Sequence, residues 1–221
     1  MRVELYLVRH GETEWSRARR HTGRTDVPLN PAGEAEAKAL GRHLSGLEVD
    51  RVLSSPMRRA VSTAELAGFG DRLEITEALH EFDYGEYEGL TSSQIRERRP
   101  GWDLFRDGCP GGETVEEAAG RARALLDRLA GGGRVLLFGH AHQLRILAAC
   151  YLGLPPDAAR HLFLGTASLS ILGVEHYWPA ILLWNEQEGS GARLAEAGAS
   201  GWQGIPIERP PRPGGPGPGQ G

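Results

Sequence analysis

Two histidines and two arginines at the ends of apolar runs are the residues through which this chain could do chemistry. Arg9-His10-Gly11 closes the run VELYLV at 3–8, Arg59 follows RVLSS at 51–55 with Arg58 beside it, and His140 closes RVLLFG at 134–139. Each run is short, rich in β-formers and ended by turn residues, the pattern of a buried strand. Taken singly, Arg9-His10-Gly11 is a match that chance often supplies. Convergence is what distinguishes it: three strand ends deliver two guanidinium groups and two imidazoles. Burying such a cluster is costly without an anion, and a phosphoryl group offers oxygens enough for all the donors. The chemistry to look for is phosphoryl binding and transfer.

The elements that must position these residues are legible around them. Asn30-Pro31 reads as an N-cap and first helical residue, followed by the apolar face Ala37, Leu40 and Leu44. Ser55-Pro56 reads as the cap and first turn of a helix whose face is Met57, Ala60, Val61 and Ala64. Thr114 and Glu117 form a capping box ahead of a stripe running from Val115 to Leu129, and Gly131-Gly132-Gly133 stops it. A helix through Leu144 to Leu152 follows His140. Segments 167–175 and 180–186, joined through His176 to Pro179, predict a hairpin in which at least one strand is antiparallel. Strands alternating with helices predict an α/β three-layer sandwich, with a mostly parallel central sheet and helices on both faces. In such sheets ligands bind beyond the carboxyl ends of the strands, where His10, Arg59 and His140 fall.

Bulk properties narrow the function class. A length of 221 residues suits one α/β domain, expected over 1–203, with GIPIERPPRPGGPGPGQG at 204–221 reading as a disordered Pro/Gly-rich tail. The apolar run before Arg9 is too short for an export signal or a membrane span, so a cytoplasmic protein is expected. A net charge of −4 argues against nucleic acid or an anionic membrane as the main partner. Cys109 and Cys150 stand far apart, without spacing for zinc or a disulfide framework, and read as inert thiols.

Five blocks, LYLVRHGETEW, HTGRTDVPLNPAG, SSPMRRAVSTA, LHEFDYGEYEGLT and LFGHAHQLRIL, occur in the order in which the histidine phosphatase (phosphoglycerate mutase-like) superfamily carries them. They span about residues 5–150, and the chain resembles that family's phosphatase branch. The resemblance implies the phosphoglycerate mutase-like fold and a phosphohistidine intermediate. It places the nucleophile on His10, phosphate ligands on Arg9 and Arg59, the proton donor on Glu81 and the second histidine on His140. It also selects Arg59 over Arg58, because the family's ligand directly precedes the alanine, here Ala60. Glu81 is one of four acidic residues in EFDYGEYEG, and only family position distinguishes it from a solvated loop carboxylate. Such a role would need a raised pKa, which burial beside Phe82 or Tyr84 would supply. Neutral His10 would attack phosphorus in line while Arg9, Arg59 and His140 stabilise the equatorial oxygens, with no metal or other cofactor.

The substrate side is less determined. Thr22 and Gly23 occupy a loop position from which family members contact substrate phosphate, with Ser16 a further candidate. His142 and Arg145 could meet a second anionic group, although Arg145 could equally snorkel or cap a carboxylate. The basic run Arg17, Arg19, Arg20, His21 and Arg24 reads first as a solvated loop face and second as a funnel for anions. Mutases of the family usually carry asparagine where Ser16 stands, and a longer insertion than the 140 − 81 = 59 positions between Glu81 and His140. The expected partner is therefore a small phosphorylated metabolite such as a sugar phosphate, turned over by a metal-independent phosphomonoesterase that is a monomer or homodimer. A cofactor-dependent phosphoglycerate mutase and a non-catalytic phospho-binding module are the alternatives.

Overall fold

Residues 3–187 are described by the computed structural model; the Pro/Gly-rich segment from Gly204 lies outside them. Strand β1 (Val3–Arg9) is followed by a short helix α1 (Glu14–Arg17) and by α2 (Pro31–His43). Then come β2 (Arg51–Ser54), α3 (Arg58–Leu66), β3 (Leu73–Ile75), α4 (Ser92–Arg98) and α5 (Leu104–Asp107). Helix α6 (Val115–Leu129), strand β4 (Gly133–Gly139), helix α7 (Ala141–Tyr151) and the hairpin β5 (Leu169–Glu175) and β6 (Trp178–Glu186) complete the order.

The period-two alternation of the central strands builds two cores. Val3, Leu5 and Leu7 of β1 and Val135 and Leu137 of β4 join one cluster with Ala118, Leu125 and Leu129 of α6 and Leu144 and Leu147 of α7. Tyr6, Val8, Leu136 and Phe138 join the other, with Leu40 of α2, Leu44 and Ala64 of α3. A sheet apolar on both faces must be covered on both, and the three-layer sandwich of the phosphoglycerate mutase-like fold results. The sheet order is β3-β2-β4-β1-β5-β6. The first four strands run parallel, while β5 is antiparallel to β1 and to β6.

Two local expectations need correction. Ser55-Pro56 does not cap α3: the N-cap is Met57, without a side-chain cap bond, and the helix starts at Arg58. Its first N–H instead finds the Asp26 carboxylate, 2.9 Å away, while the Ser55 hydroxyl accepts from Met57 N at 3.3 Å and also reaches the site described below. The hairpin is also tighter than expected, because Trp178 and Pro179 already pair with Glu175 and Val174. Its turn is His176-Tyr177, with His176 at φ 52°, as a two-residue hairpin turn requires. Proline is tolerated at 179 because β6 is an edge strand. Helices α1, α4 and α5, of four to seven residues, were too short to show a period in the sequence. Among the described residues no helix is long and apolar enough to cross a membrane.

Candidate active site

The parallel register of β1, β4 and β2 brings three chain segments to one sheet edge. Arg9 lies opposite Gly139 and Ser54 opposite Phe138, so His10, His140 and Ser55 each occupy the first position past a strand. The His10 N–H donates to Gly139 at 3.0 Å and the Ser55 N–H to Phe138 at 2.9 Å, prolonging the ladders into the site. The rings of His10 and His140 meet edge-on, with centroids 5.2 Å apart.

Their partners assign the tautomers. His10 Nδ1 lies 2.7 Å from the Gly11 carbonyl, which can only accept, so Nδ1 carries the proton and Nε2 keeps its lone pair. His140 Nδ1 accepts from Arg59 Nε at 3.2 Å, so its proton sits on Nε2, which donates to Ser55 Oγ at 2.7 Å. Burial holds both imidazoles well below the ordinary 6.5. Arg59 reinforces this in each, joined by Arg9 at His10. Both histidines are neutral at pH 7.

The arginines divide their donors unequally. Arg9 Nη1 donates to the Leu164 carbonyl at 2.7 Å, and its buried Nε has no partner among the described residues. The fully buried Arg59 grips the following loop, with Nη1 on Thr25 O at 3.0 Å and Nη2 on Thr22 O and Gly23 O at 3.1 and 3.0 Å. Arg59 therefore anchors loop 22–25 with most of its N–H groups, in place of reserving them all for an anion. Thr63 locks the two halves together, accepting from Gly11 N at 3.0 Å and donating to Arg59 O at 2.6 Å.

Glu81 comes from the loop after β3 and is 4% exposed. Its Oε1 accepts from the N–H groups of Phe82 (2.9 Å) and Gln143 (3.0 Å), and its Oε2 from that of His142 (3.2 Å). The carboxylate thus lies across the N-terminus of α7, where free N–H groups and the helix dipole favour negative charge. Burial pushes its pKa up, as the sequence reading expects, but the neighbouring His142 side chain and these N–H bonds outweigh it. The group ends well below the usual carboxylate value of 4.5. The expectation of a raised pKa is therefore overturned in the ligand-free protein, where Glu81 is ionised.

The outer candidates separate. Ser16 Oγ is engaged with Thr13 N (2.9 Å) and Thr13 O (3.1 Å) in a capping box for α1. Gly23 N donates to both oxygens of Glu88, at 2.9 and 3.0 Å, so that N–H is already occupied; the Thr22 hydroxyl donates to Arg20 O. His142 Nδ1 lies 2.7 Å from the Tyr84 hydroxyl and 3.9 Å from Glu81 Oε2. Among the described residues Arg145 reaches no carboxylate, and it is held in place where a snorkelling side chain would be free. Its Nε donates to Ala159 O at 3.0 Å and its guanidinium lies over the Phe105 ring, 5.0 Å from the centroid. Sequence reasoning gave Ser55 only as a helix cap and Tyr84 only as cover for Glu81, and it missed Glu88 and Gln143, whose only signal is membership of the motif blocks around the named residues. Among the described residues no group of three or more His, Cys, Asp or Glu side chains could hold a metal ion.

The family model described as histidine phosphatase superfamily (branch 1) matches residues 5–187. This chain belongs to that superfamily. It is 42% identical over 177 residues to an acid phosphatase of Mycobacterium tuberculosis, covering 78% of this chain and 87% of that protein. It is 36% identical over 179 residues to a probable phosphoglycerate mutase of Salmonella choleraesuis, covering 76% and 83%. Among solved structures, the product of an open reading frame of Mycobacterium tuberculosis superposes with a TM-score of 0.80 at 38% identity, over 85% of this chain and 99% of that one. A mycobacterial glucosyl-3-phosphoglycerate phosphatase, solved in complex with VO3, gives 0.76 at 28% identity, over 84% and 100%. As a histidine phosphatase, the chain is an enzyme of phosphoric monoester hydrolysis.

Proposed function

We propose that this histidine phosphatase hydrolyses small phosphorylated metabolites such as sugar phosphates through a phosphohistidine on His10, without a metal. The observation that carries the reading is the state of His10: buried, neutral, with Nδ1 tied to Gly11 O and its Nε2 lone pair left to attack phosphorus. Nε2 forms the N–P bond as the P–O bond to the leaving group breaks. Arg9, whose Nε has no partner among the described residues, and Arg59 stabilise the equatorial oxygens, and His140 joins them once its Nε2–H turns from Ser55 Oγ to the phosphoryl group. Glu81 takes up a proton from solvent as the phosphoryl group binds, hands it to the departing alkoxide and then takes one from the water that cleaves the N–P bond, regenerating His10. It is ionised in the free protein, so the incoming phosphoryl charge must raise its affinity for the proton; like charges at close range do this.

Hydrolysis is favoured over transfer to a second substrate by the short 59-position segment between Glu81 and His140, which leaves little chain to shield a phosphoenzyme from water. The mutase reading is kept because one relative is called a probable phosphoglycerate mutase. Arg145, stacked on Phe105 and without a described carboxylate partner, is the residue we place against an anionic group on the substrate, with His142 beside it. Thr22 and Gly23 enter the substrate side only if Glu88 releases the Gly23 N–H, and Ser16 only by leaving its capping box. The test is phosphate release with EDTA present from p-nitrophenyl phosphate, 3-phosphoglycerate and sugar mono- and bisphosphates. Turnover lost in His10→Ala supports the reading. Phosphate exchange between phosphoglycerates only with a bisphosphoglycerate primer, and no hydrolysis, would establish the mutase instead.

A further inference from the structure

The loop that carries Glu81 is gripped on both flanks by one ion pair anchored to α6. Arg121 Nη1 donates to two carbonyls of the loop, Ala78 O and His80 O, each at 3.1 Å. Its Nε and Nη2 meet the two oxygens of Glu113 at 2.7 and 2.8 Å, a bidentate pair. Glu113 then holds the other flank: its Oε2 accepts from Asp83 N at 3.0 Å, and its own N–H donates to Asp83 O at 2.9 Å. Between the two grips lie only Glu81 and Phe82. The pair is largely shielded, with side chains 23% and 15% exposed, so its geometry is fixed more firmly than that of a surface ion pair. Gln143, whose N–H holds Glu81, also donates through Nε2 to Ala78 O at 3.1 Å, tying α7 to the same carbonyl.

From this arrangement we infer that Arg121 and Glu113 are positioning residues for proton transfer by Glu81. They act on where the carboxylate stands relative to the leaving group, through the backbone on either side of it. Their role is separate from holding phosphate, because among the described residues the side chains of the pair bond the loop and each other. The inference rests on the proposed role of Glu81, and its consequence is specific. A misplaced proton donor harms esters whose leaving alcohol must be protonated, such as glycerol phosphate, and spares p-nitrophenyl phosphate, whose leaving phenolate is stable without a proton.

The experiment compares kcat/KM for glycerol phosphate and p-nitrophenyl phosphate in the full chain and in Arg121→Ala, Arg121→Gln and Glu81→Gln, since kcat/KM reports the phosphorylation step. Arg121→Gln retains one donor for the loop and serves if the alanine variant folds poorly by circular dichroism. The expected result is a loss of about tenfold or more on glycerol phosphate and under about threefold on p-nitrophenyl phosphate, smaller in Arg121→Gln and following the pattern of Glu81→Gln. Equal losses on the two esters, or no loss on either, would overturn the positioning role. A Glu81→Gln variant that itself shows no dependence on the leaving group would overturn the proton-donor reading beneath it.

Discussion

The nucleophile side and the proton-donor side of the site are equally buried, yet burial does opposite work in them. At His10, desolvation and the two arginines push the same way, and the imidazole stays neutral well below its ordinary range. At Glu81, desolvation favours the neutral acid while the neighbouring His142 and three N–H donors favour the anion, and the anion wins. One side is therefore ready in the free protein, and the other is set only when a phosphoryl group arrives. The lesson is that burial alone does not fix a charge state; the donors aimed at the group decide.

Substitutions that strike one side at a time sharpen that contrast. His10→Ala removes the only group proposed to bond to phosphorus, and kcat on p-nitrophenyl phosphate should fall at least about 10,000-fold, with the fold intact by circular dichroism. Glu81→Gln should lower kcat/KM on glycerol phosphate by roughly 100-fold to 10,000-fold and on p-nitrophenyl phosphate far less. Equal losses would erase the distinction between the two sides. Ser55→Ala leaves the His140 Nε2–H without its acceptor, and kcat/KM should fall roughly tenfold, the equivalent of about one lost buried hydrogen bond. An unchanged rate would show that the Ser55 bond does not orient His140.

Acid stability gives the smallest effect and a clear sign. His10 and His140 have folded pKa values depressed below 6.5, so the unfolded chain takes up protons that the folded one refuses. Their contribution is full above pH 6.5 and is lost as pH falls from there toward the folded values. Glu81, depressed below 4.5, adds a second loss that begins at lower pH. Denaturant unfolding should show stability declining between pH 7 and 5, with a shallower decline in His10→Asn. A flat profile in the wild-type protein would mean the histidines are not buried neutral.

Much of this was legible in the chain itself. The β-rich run into Arg9-His10-Gly11, the Asn30 cap and the Thr114-Glu117 box each act within a few residues, and each stands where the pattern put it. Family order then singled out Glu81 from its acidic neighbours. What stayed hidden depends on contacts between distant segments. The charge state of Glu81 follows from the N–H groups of residues 142 and 143, some sixty positions away. Ser55 looked like a cap because its bond to His140 spans 85 positions. Nothing in the sequence ties Arg121 to the loop it grips, whose carbonyls lie 43 and 41 positions away.

The most direct test of the account is to trap the phosphoenzyme. Wild-type protein mixed with labelled p-nitrophenyl phosphate and quenched in alkali, where phosphohistidine survives and phosphoserine does not, should carry a single label that mass spectrometry places on His10. His10→Ala should carry none. Label on another residue, or full turnover in His10→Ala, would contradict the assignment of His10 as the nucleophile.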